Sequence, residues 1–349
     1  MAKIVMADDS IKFDGFTLSQ RPLGGAETAF ISLAEAFAKK GHDVTIFNQC
    51  DQRHESNGVK WYPLTDAYPE FADLYIANRG YQLLDRMPKA KRTIFWIHNP
   101  ARYLLKWRYM SRLWRIRPAI VFSGKHHLNT YPKWAPCGER VIVPYGIENR
   151  FMTARVNNDI PKKRAIFTSN PLRSLDWLLN VWVEKIHPLS PEAELHVFAG
   201  PQTYGSVGGK KAQSMKLILD QAETLGDKGI VLRGPVPKDQ LMNEMLEARV
   251  MPYRGDVGET FCLALGEAQA MGIPCVVQEV GCVAERVIDG ETGFVANEDN
   301  EFAKRTAEIL NNDALWLQQH ETALLKQRNW GWEQAAEAFE EHFLSEVVC

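Results

Sequence analysis

Short apolar runs alternate with longer helix-forming stretches from one end of this chain to the other, and that alternation restricts the fold more than any other feature. Strands are expected at Lys3–Ala7, Asp43–Phe47, Leu74–Asn78, Thr93–His98, Ala119–Ser123 and Val141–Pro144. A second series is expected at Arg164–Ser169, Glu194–Ala199, Ile230–Gly234, Arg249–Tyr253, Pro274–Gln278 and Gly293–Ala296. Several are apolar on both faces, as parallel strands covered on each side by helices must be. The pattern implies doubly wound α/β sheets. Residues 148–163 separate the two series; the stretch is polar, carries Pro161 near its end and is read as an interdomain linker. At 349 residues the chain exceeds one small core and fits two such domains, 1–150 and 151–331. Two Rossmann-like domains facing a cleft would place loops from the carboxyl ends of both sheets in it.

Composition narrows the partners. A hydrophobic content of 45% and a charged content of 24% belong to a soluble globular protein. The formal net charge of −2 gives no global attraction for nucleic acid. The six cysteines form no CxxC pair, which argues for reduced thiols in a cytosolic setting and against a zinc site. The apolar run at the N-terminus is too short for a signal peptide and reads as a buried first strand. No apolar stretch approaches the roughly 20 residues needed to span a bilayer.

Two stretches carry chemistry. Gly24 and Gly25 precede the helical pattern Ala26–Lys40, which Gly41 is suited to stop. Glycines before a helix let backbone approach a ligand while free N–H groups favour an anion, although an ordinary glycine loop has the same composition. The other stretch runs from Gly258 to Gly272. A helix is expected to begin at Glu259 or Thr260 and to stop at Gly272, with Pro274 opening the next strand. The amides of Phe261, Cys262 and Leu263 would then lie in an unsatisfied first turn, suited to phosphate or sugar oxygens. Glu267, two turns on, would accept hydrogen bonds from a pair of ribose hydroxyls. A carboxylate repels a diphosphate, so the glutamates should grip hydroxyls and leave phosphate to amides and cations. The competing reading, two solvated helix glutamates, fits poorly with the small apolar residues around them.

This stretch resembles the E-x7-E motif of retaining glycosyltransferases of family 4, which have the GT-B fold. Glu259 and Glu267 occupy the motif's ends, and Glu-Ala-Gln-Ala-Met-Gly-Ile-Pro-Cys-Val-Val continues the pattern. The resemblance implies that Glu259 approaches the donor sugar, that Glu267 binds the nucleotide ribose, and that Thr260, Phe261, Cys262 and Leu263 line the sugar and phosphate. It extends over nearly the whole chain. Gly24-Gly25-Ala26-Glu27 is similar to the N-terminal glycine loop near the donor phosphates, and Val143–Ile147 to the hinge. Leu232-Arg233-Gly234-Pro235-Val236 is similar to the loop beside the nucleobase, which makes Gly234 and Val236 donor contacts. Trp330-Gly331-Trp332-Glu333 is similar to the start of a last helix, about 332–349, that packs back on the N-terminal domain. His98 resembles a histidine facing the donor sugar; a histidine that merely caps a loop is the alternative. Asn99 and Tyr103 would shape the acceptor side.

One departure concerns charge. Family members commonly hold the diphosphate with an arginine and a lysine after the first strand of the C-terminal domain. Here the run is Phe167-Thr168-Ser169-Asn170-Pro171-Leu172-Arg173. Arg173 stands for one cation, Ser169 and Asn170 are donors, and a second cation is absent from the usual place. Arg254 and Arg233 are candidates for it.

Residues 102–117 place Tyr103, Trp107, Met110 and Trp114 at helical spacing beside a stripe of Arg108, Arg112 and Arg115. A basic, tryptophan-bearing amphipathic helix suits an anionic membrane surface. The alternative is a surface helix whose aromatic face is core. The expectation is therefore a GT-B enzyme moving a hexose-type sugar from a nucleotide-diphosphate sugar to an acceptor hydroxyl with retention, in glycan, glycolipid or cell-envelope polysaccharide synthesis. Its acceptor would be a saccharide or lipid-linked saccharide. Glu259, His98 and Arg173 would carry catalysis, without metal or other cofactor, by positioning and charge stabilisation. It would be cytoplasmic, or peripheral on the inner face of the membrane. A GT-B sugar-nucleotide epimerase and a non-catalytic nucleotide-sugar binding protein share these features. A nicotinamide-dependent dehydrogenase lacks its GxGxxG turn here.

Overall fold

The computed structural model describes residues 1–20, 23–156, 159–200 and 210–345, so positions 157–158 of the expected linker and 346–349 of the expected last helix lie outside the described residues. The chain divides into two compact units, Met1–Gly146 with Trp330–Cys349, and Ile147–Asn329.

The first unit is built on β1 (Lys3–Asp8), β2 (Asp43–Asn48), β3 (His54–Ser56), β4 (Val59–Pro63), β5 (Leu74–Asn78), β6 (Arg92–Trp96), β7 (Ala119–Phe122) and β8 (Glu139–Ile142). Their order is β3-β4-β2-β1-β5-β6-β7-β8, parallel except for the β3–β4 hairpin. All five residues of β5 and five of six in β1 are buried, which explains why these strands read as continuous apolar runs. The hairpin is an addition to the expected strands. Its turn, Asn57 at φ 51° and Gly58 at φ 75°, is the two-residue form that matches the right-handed twist of the flanking strands. The expected strand Val141–Pro144 pairs instead over Glu139–Ile142. The helix Gly25–Lys39 buries Phe30, Leu33 and Phe37, and Gly41 follows it at φ 86°. The C-terminal helix Trp332–Phe343 packs on it through Phe37 and Phe339, whose rings meet edge to face at 6.0 Å. Gly146 permits the close approach of that segment, because a Cβ there would lie 2.3 Å from the Trp332 amide nitrogen.

Residues 102–117 are not one helix. A 3-10 turn, Ala101–Leu105, is followed by extended Lys106 and then by the helix Trp107–Ile116. The break leaves Tyr103 packed on Tyr109 and apart from the exposed Trp107 and Trp114. Tyr109 and Leu113 face the core, whereas Trp107 and Trp114 are 82% and 74% exposed, so the aromatic stripe is not the core face.

The second unit contains β9 (Arg164–Phe167), β10 (Glu194–Val197), β11 (Ile230–Leu232), β12 (Met251–Tyr253), β13 (Cys275–Val277) and β14 (Gly293–Val295), all in parallel ladders. The ladders β11-β10-β9 and β12-β13-β14 meet at a bridge between Ala165 and Val250, where the Ile166 amide donates to the Val250 carbonyl at 3.0 Å. In each unit the strand order reverses once, between β1 and β5 and between β9 and β12. Loops leaving the carboxyl ends at such a reversal diverge and leave room for ligand.

Candidate functional site

In the second unit, the reversal is occupied by Tyr253, the last residue of β12, and Ser169, two residues beyond β9. The Tyr253 hydroxyl lies 3.1 and 3.0 Å from the two Glu259 carboxylate oxygens and 3.0 Å from Ser169 Oγ. A phenol has one proton, and the carboxylate can only accept, so Ser169 donates to Tyr253 and Tyr253 to Glu259. Burial holds the Tyr253 phenol well above its ordinary pKa, which keeps that proton in place. Burial also raises the Glu259 carboxyl, with the positive charge of Arg173 opposing it. Arg173 donates to Asp256 at 3.0 Å, and Asp256 also accepts the Gly258 amide at 2.8 Å. Ser174, held at φ 60°, donates its hydroxyl to the Gly255 carbonyl at 2.7 Å and fixes the Arg173 loop against this segment. Asn170 accepts the Leu172 amide at 2.9 Å within the same loop.

The expected helix start is corrected. The helix is Leu263–Ala270, with Cys262 at φ 64° as its N-cap, and Glu259–Cys262 form the preceding loop. A left-handed residue cannot continue a helix, so the first turn begins four residues later than Glu259. Of the three expected amides, only that of Leu263 lies in the first turn, where Ala264 joins it. Thr260, Phe261 and Cys262 are buried.

Glu267 is 7% exposed and Glu259 8%, which rules out a solvated pair. Lys238 places its ammonium 2.6 Å from the Glu267 carboxylate and also bonds Glu148, with the same nitrogen 5.3 Å from the centre of the Phe151 ring. Arg150 pairs with Glu148 at 3.0 Å and with Asp239 at 2.7 Å. Burial raises the Glu267 carboxyl, and Lys238 draws it back. Lys238 sits at the first residue of the helix Lys238–Leu246, where the helix dipole disfavours a cation. That unfavourable placement was the available sign that it serves a side-chain partner. Nearby in sequence, Gly234 takes φ 71° with open space around it, and Val236 is half-buried. Arg233 is engaged by Glu244 at 2.8 Å, and Arg254 lies over the Trp177 ring at 5.0 Å. Of the two candidate second cations, Arg233 is thus tied to an acid, whereas Arg254 has a ring contact and, among the described residues, no acid within ion-pair distance.

In the first unit, a buried polar chain crosses the carboxyl ends of β1, β5 and β6. Arg79, at φ 61°, donates to Asp8 at 2.8 Å, to Ser10 at 2.6 Å and to Glu27 at 3.0 Å. Asn78 donates its amide to Asp8 at 2.5 Å, which turns its oxygen toward His98 Nε2 at 2.5 Å. Nε2 therefore carries the imidazole proton, and Nδ1 accepts from the Tyr145 hydroxyl. Burial and the charge of Arg79 hold His98 well below its ordinary pKa, so it is neutral with both ring nitrogens engaged. Gly24 is the N-cap of its helix, and a Cβ there would lie 2.5 Å from the Glu27 carboxylate, so an acid already faces the Gly24-Gly25 turn. Asn99 is exposed, and its carbonyl accepts from His127 at 2.9 Å. Tyr103 packs edge to face on Tyr109 at 5.2 Å with its hydroxyl enclosed, so it belongs to the core rather than to an open acceptor surface. Asp8, Asn78 and Arg79 were missed in the sequence. The signal for them was an apolar strand ending in Asn-Arg-Gly.

Residues 163–312 match the sequence profile of the family Glycosyl transferases group 1. The chain is 30% identical over 171 residues to a lipopolysaccharide 1,2-N-acetylglucosaminetransferase of Salmonella typhimurium, a span covering 45% of this chain and 42% of that protein. It is 28% identical over 173 residues to a D-inositol 3-phosphate glycosyltransferase of Streptomyces avermitilis, covering 48% and 36%. These matches span less than half the length of either curated relative. Among solved structures, sucrose-phosphate synthase from Thermosynechococcus elongatus superposes with a TM-score of 0.73 at 16% identity, over 98% of each chain. HepE of Anabaena, in complex with UDP and glucose, superposes with a TM-score of 0.71 at 14% identity, over 99% of this chain and 100% of that one. The fold is GT-B.

Proposed function

We propose that this protein is a glycosyltransferase that uses a nucleotide-diphosphate sugar as donor. The observation that carries the reading is the pair of buried carboxylates, Glu259 held by Tyr253 and Glu267 held by Lys238, on the loop and helix that follow β12. Buried acids without metal or a full set of internal partners are suited to bind hydroxyl-rich ligands. In this reading Glu267 takes the ribose diol and Glu259 the sugar hydroxyls. Arg173 and the amides of Leu263 and Ala264 hold the diphosphate as it departs. Ser169, Asn170, Gly234 and Val236 line the nucleoside. The sugar is hexose-type and is transferred with retention. The acceptor is a hydroxyl of a saccharide or lipid-linked saccharide, bound by the first unit. The names of the two sequence relatives support sugar transfer to glycan or polyol acceptors. The reaction needs no resident metal, so chelation should leave activity intact.

A thermal-shift panel of UDP-, GDP- and ADP-sugars, followed by acceptor screening with the best donor, tests the reading. A shift of several degrees with one donor class, and nucleotide release only when acceptor is present, is expected. No shift with any nucleotide sugar would overturn it, and nucleotide release without acceptor would favour an epimerase. The anomeric configuration of the product, read by NMR, tests retention.

Exposed Trp107 and Trp114, with Lys106 and Arg108 beside them, also favour contact with an anionic membrane surface on the cytoplasmic side. No helix among the described residues is long and apolar enough to cross a membrane.

A further inference from the structure

The diphosphate position has a charge deficit. Around the 255–262 loop stand Glu259, Asp256 and one cation, Arg173, which already donates to Asp256. A diphosphate adds about two negative charges, and like charges at contact distance repel strongly where water is partly excluded. Arg233 is engaged by Glu244, and Arg254 lies over the Trp177 ring at 5.0 Å, away from Phe261.

Another arginine lies against this loop. The 3-10 turn Val283–Arg286 is clamped to it by two close approaches. A Cβ on Gly281, which has φ 64°, would lie 2.3 Å from the Asp256 carbonyl oxygen and 3.1 Å from that of Glu259. A Cβ on Gly255 would lie 2.5 Å from Val283 Cγ1 and 3.2 Å from Glu259 Oε2. From this turn Arg286 lays its guanidinium over the ring of Phe261, two residues after Glu259, at 4.3 Å. Its Nε is enclosed without a hydrogen-bond partner, and among the described residues no carboxylate lies within ion-pair distance of it. Some arginines on aromatic rings are compensated by acids: Arg305, over Phe294 at 4.6 Å, pairs with Glu301 and Glu308. Burial lowers the Arg286 pKa, although an arginine stays charged, so its charge is held at a cost. A guanidinium stacked flat on a ring keeps its in-plane N–H groups, which match the oxygens of a phosphate in two-pronged fashion.

We propose that Arg286 is the second cation of the donor site, binding a phosphate of the nucleotide diphosphate beside the Phe261 ring of this loop. The assignment rests on the donor reading above. It gives the site the charge that the sequence pattern lacks at its usual place, from a turn 113 positions after Arg173 (286 against 173).

The test is calorimetric titration of the intact chain with UDP, GDP and ADP, with the matching nucleosides, and with inorganic pyrophosphate. Arg286→Met keeps the stem over Phe261 and removes the charge, Arg286→Lys restores charge without the fork, and Arg305→Met is the control. Arg286→Met should weaken the bound nucleotide diphosphate by about 10–100-fold and flatten its salt dependence, with nucleoside affinity unchanged. Arg286→Lys should recover part of the loss, and Arg305→Met should match wild type. Equal weakening of nucleotide and nucleoside, or none, would overturn the proposal and leave Arg286 as support for Phe261. If wild type binds no nucleotide, the donor reading fails. Pyrophosphate then decides for Arg286 alone: binding lost in Arg286→Met sustains an anion site, and unchanged or absent binding refutes it. If Arg286→Met does not fold, as read by thermal melting, the lysine variant's nucleotide-to-nucleoside ratio decides in the same way.

Discussion

Removal of the Lys238 ammonium is the most informative perturbation of the candidate site. Lys238 sits between two acids, Glu148 at 16% and Glu267 at 10% side-chain exposure, and bonds both. Breaking a buried ion pair by deleting one partner costs about 3–5 kcal/mol when both groups are fully enclosed. A third of the Lys238 side chain, 34%, reaches solvent, and Arg150 remains beside Glu148, so part of that cost is screened. Lys238→Met should therefore lose about 2–3 kcal/mol near pH 8. For a unit of this size that is a fall of very roughly 4–12 °C in Tm. The loss must depend on pH with a definite sign. Burial already raises the Glu267 carboxyl, and removing its cation raises it further, so the ionised form is the one that suffers. The deficit is full at alkaline pH and shrinks as pH falls toward the ordinary carboxylate range, where Glu267 takes up a proton. Urea unfolding at pH 8 and pH 5 measures it, and Lys238→Met with Glu267→Gln should regain most of the loss. A deficit equal at the two pH values, or below about 1 kcal/mol at pH 8, would refute the electrostatic account.

Other outcomes follow from the same geometry. Glu267→Ala should weaken donor binding by about 1–3 kcal/mol through unpaired ribose hydroxyls, and unchanged donor affinity by calorimetry would remove that role. Glu259 has its carboxyl raised by burial, so its ionised form costs stability as pH rises through the raised value. Glu259→Gln should accordingly melt higher than wild type at pH 8, lose that advantage at acid pH, and bind donor less well; lower melting at both pH values would contradict this. Flotation with anionic liposomes at low salt should retain the wild-type chain and release a Trp107→Ala, Trp114→Ala variant, and absence of wild-type binding would sink the membrane contact.

How much was legible in the sequence varies with the range of the interaction. All twelve expected strands exist, because parallel strands buried on both faces must be apolar throughout, and this needs no knowledge of neighbours. The β3–β4 hairpin was overlooked since its strands are short and part-polar, yet Asn57-Gly58 carried its turn signal openly. The paired glutamates were visible because a motif reports chemistry that local spacing preserves. Where the helix starts was not visible: Cys262 takes a left-handed conformation where the loop is wedged against Gly281 and Val283, contacts that belong to a later segment. The aromatic residues of 102–117 followed helical spacing, and only the break at Lys106 decided which of them face solvent.

Charge partners were the least legible part. Lys238 reaches Glu267 across 29 positions and Glu148 across 90, and nothing local specifies either contact. The same holds for which arginine finds an acid: Arg233 meets Glu244, whereas Arg254 and Arg286 lie on the Trp177 and Phe261 rings. The strands, the doubly wound α/β class and the residue types at the site can be read from the chain alone, because burial patterns and short motifs are local properties. Tertiary structure alone decided which charges meet, since Coulomb energies fall with distance in space and take no account of distance along the chain.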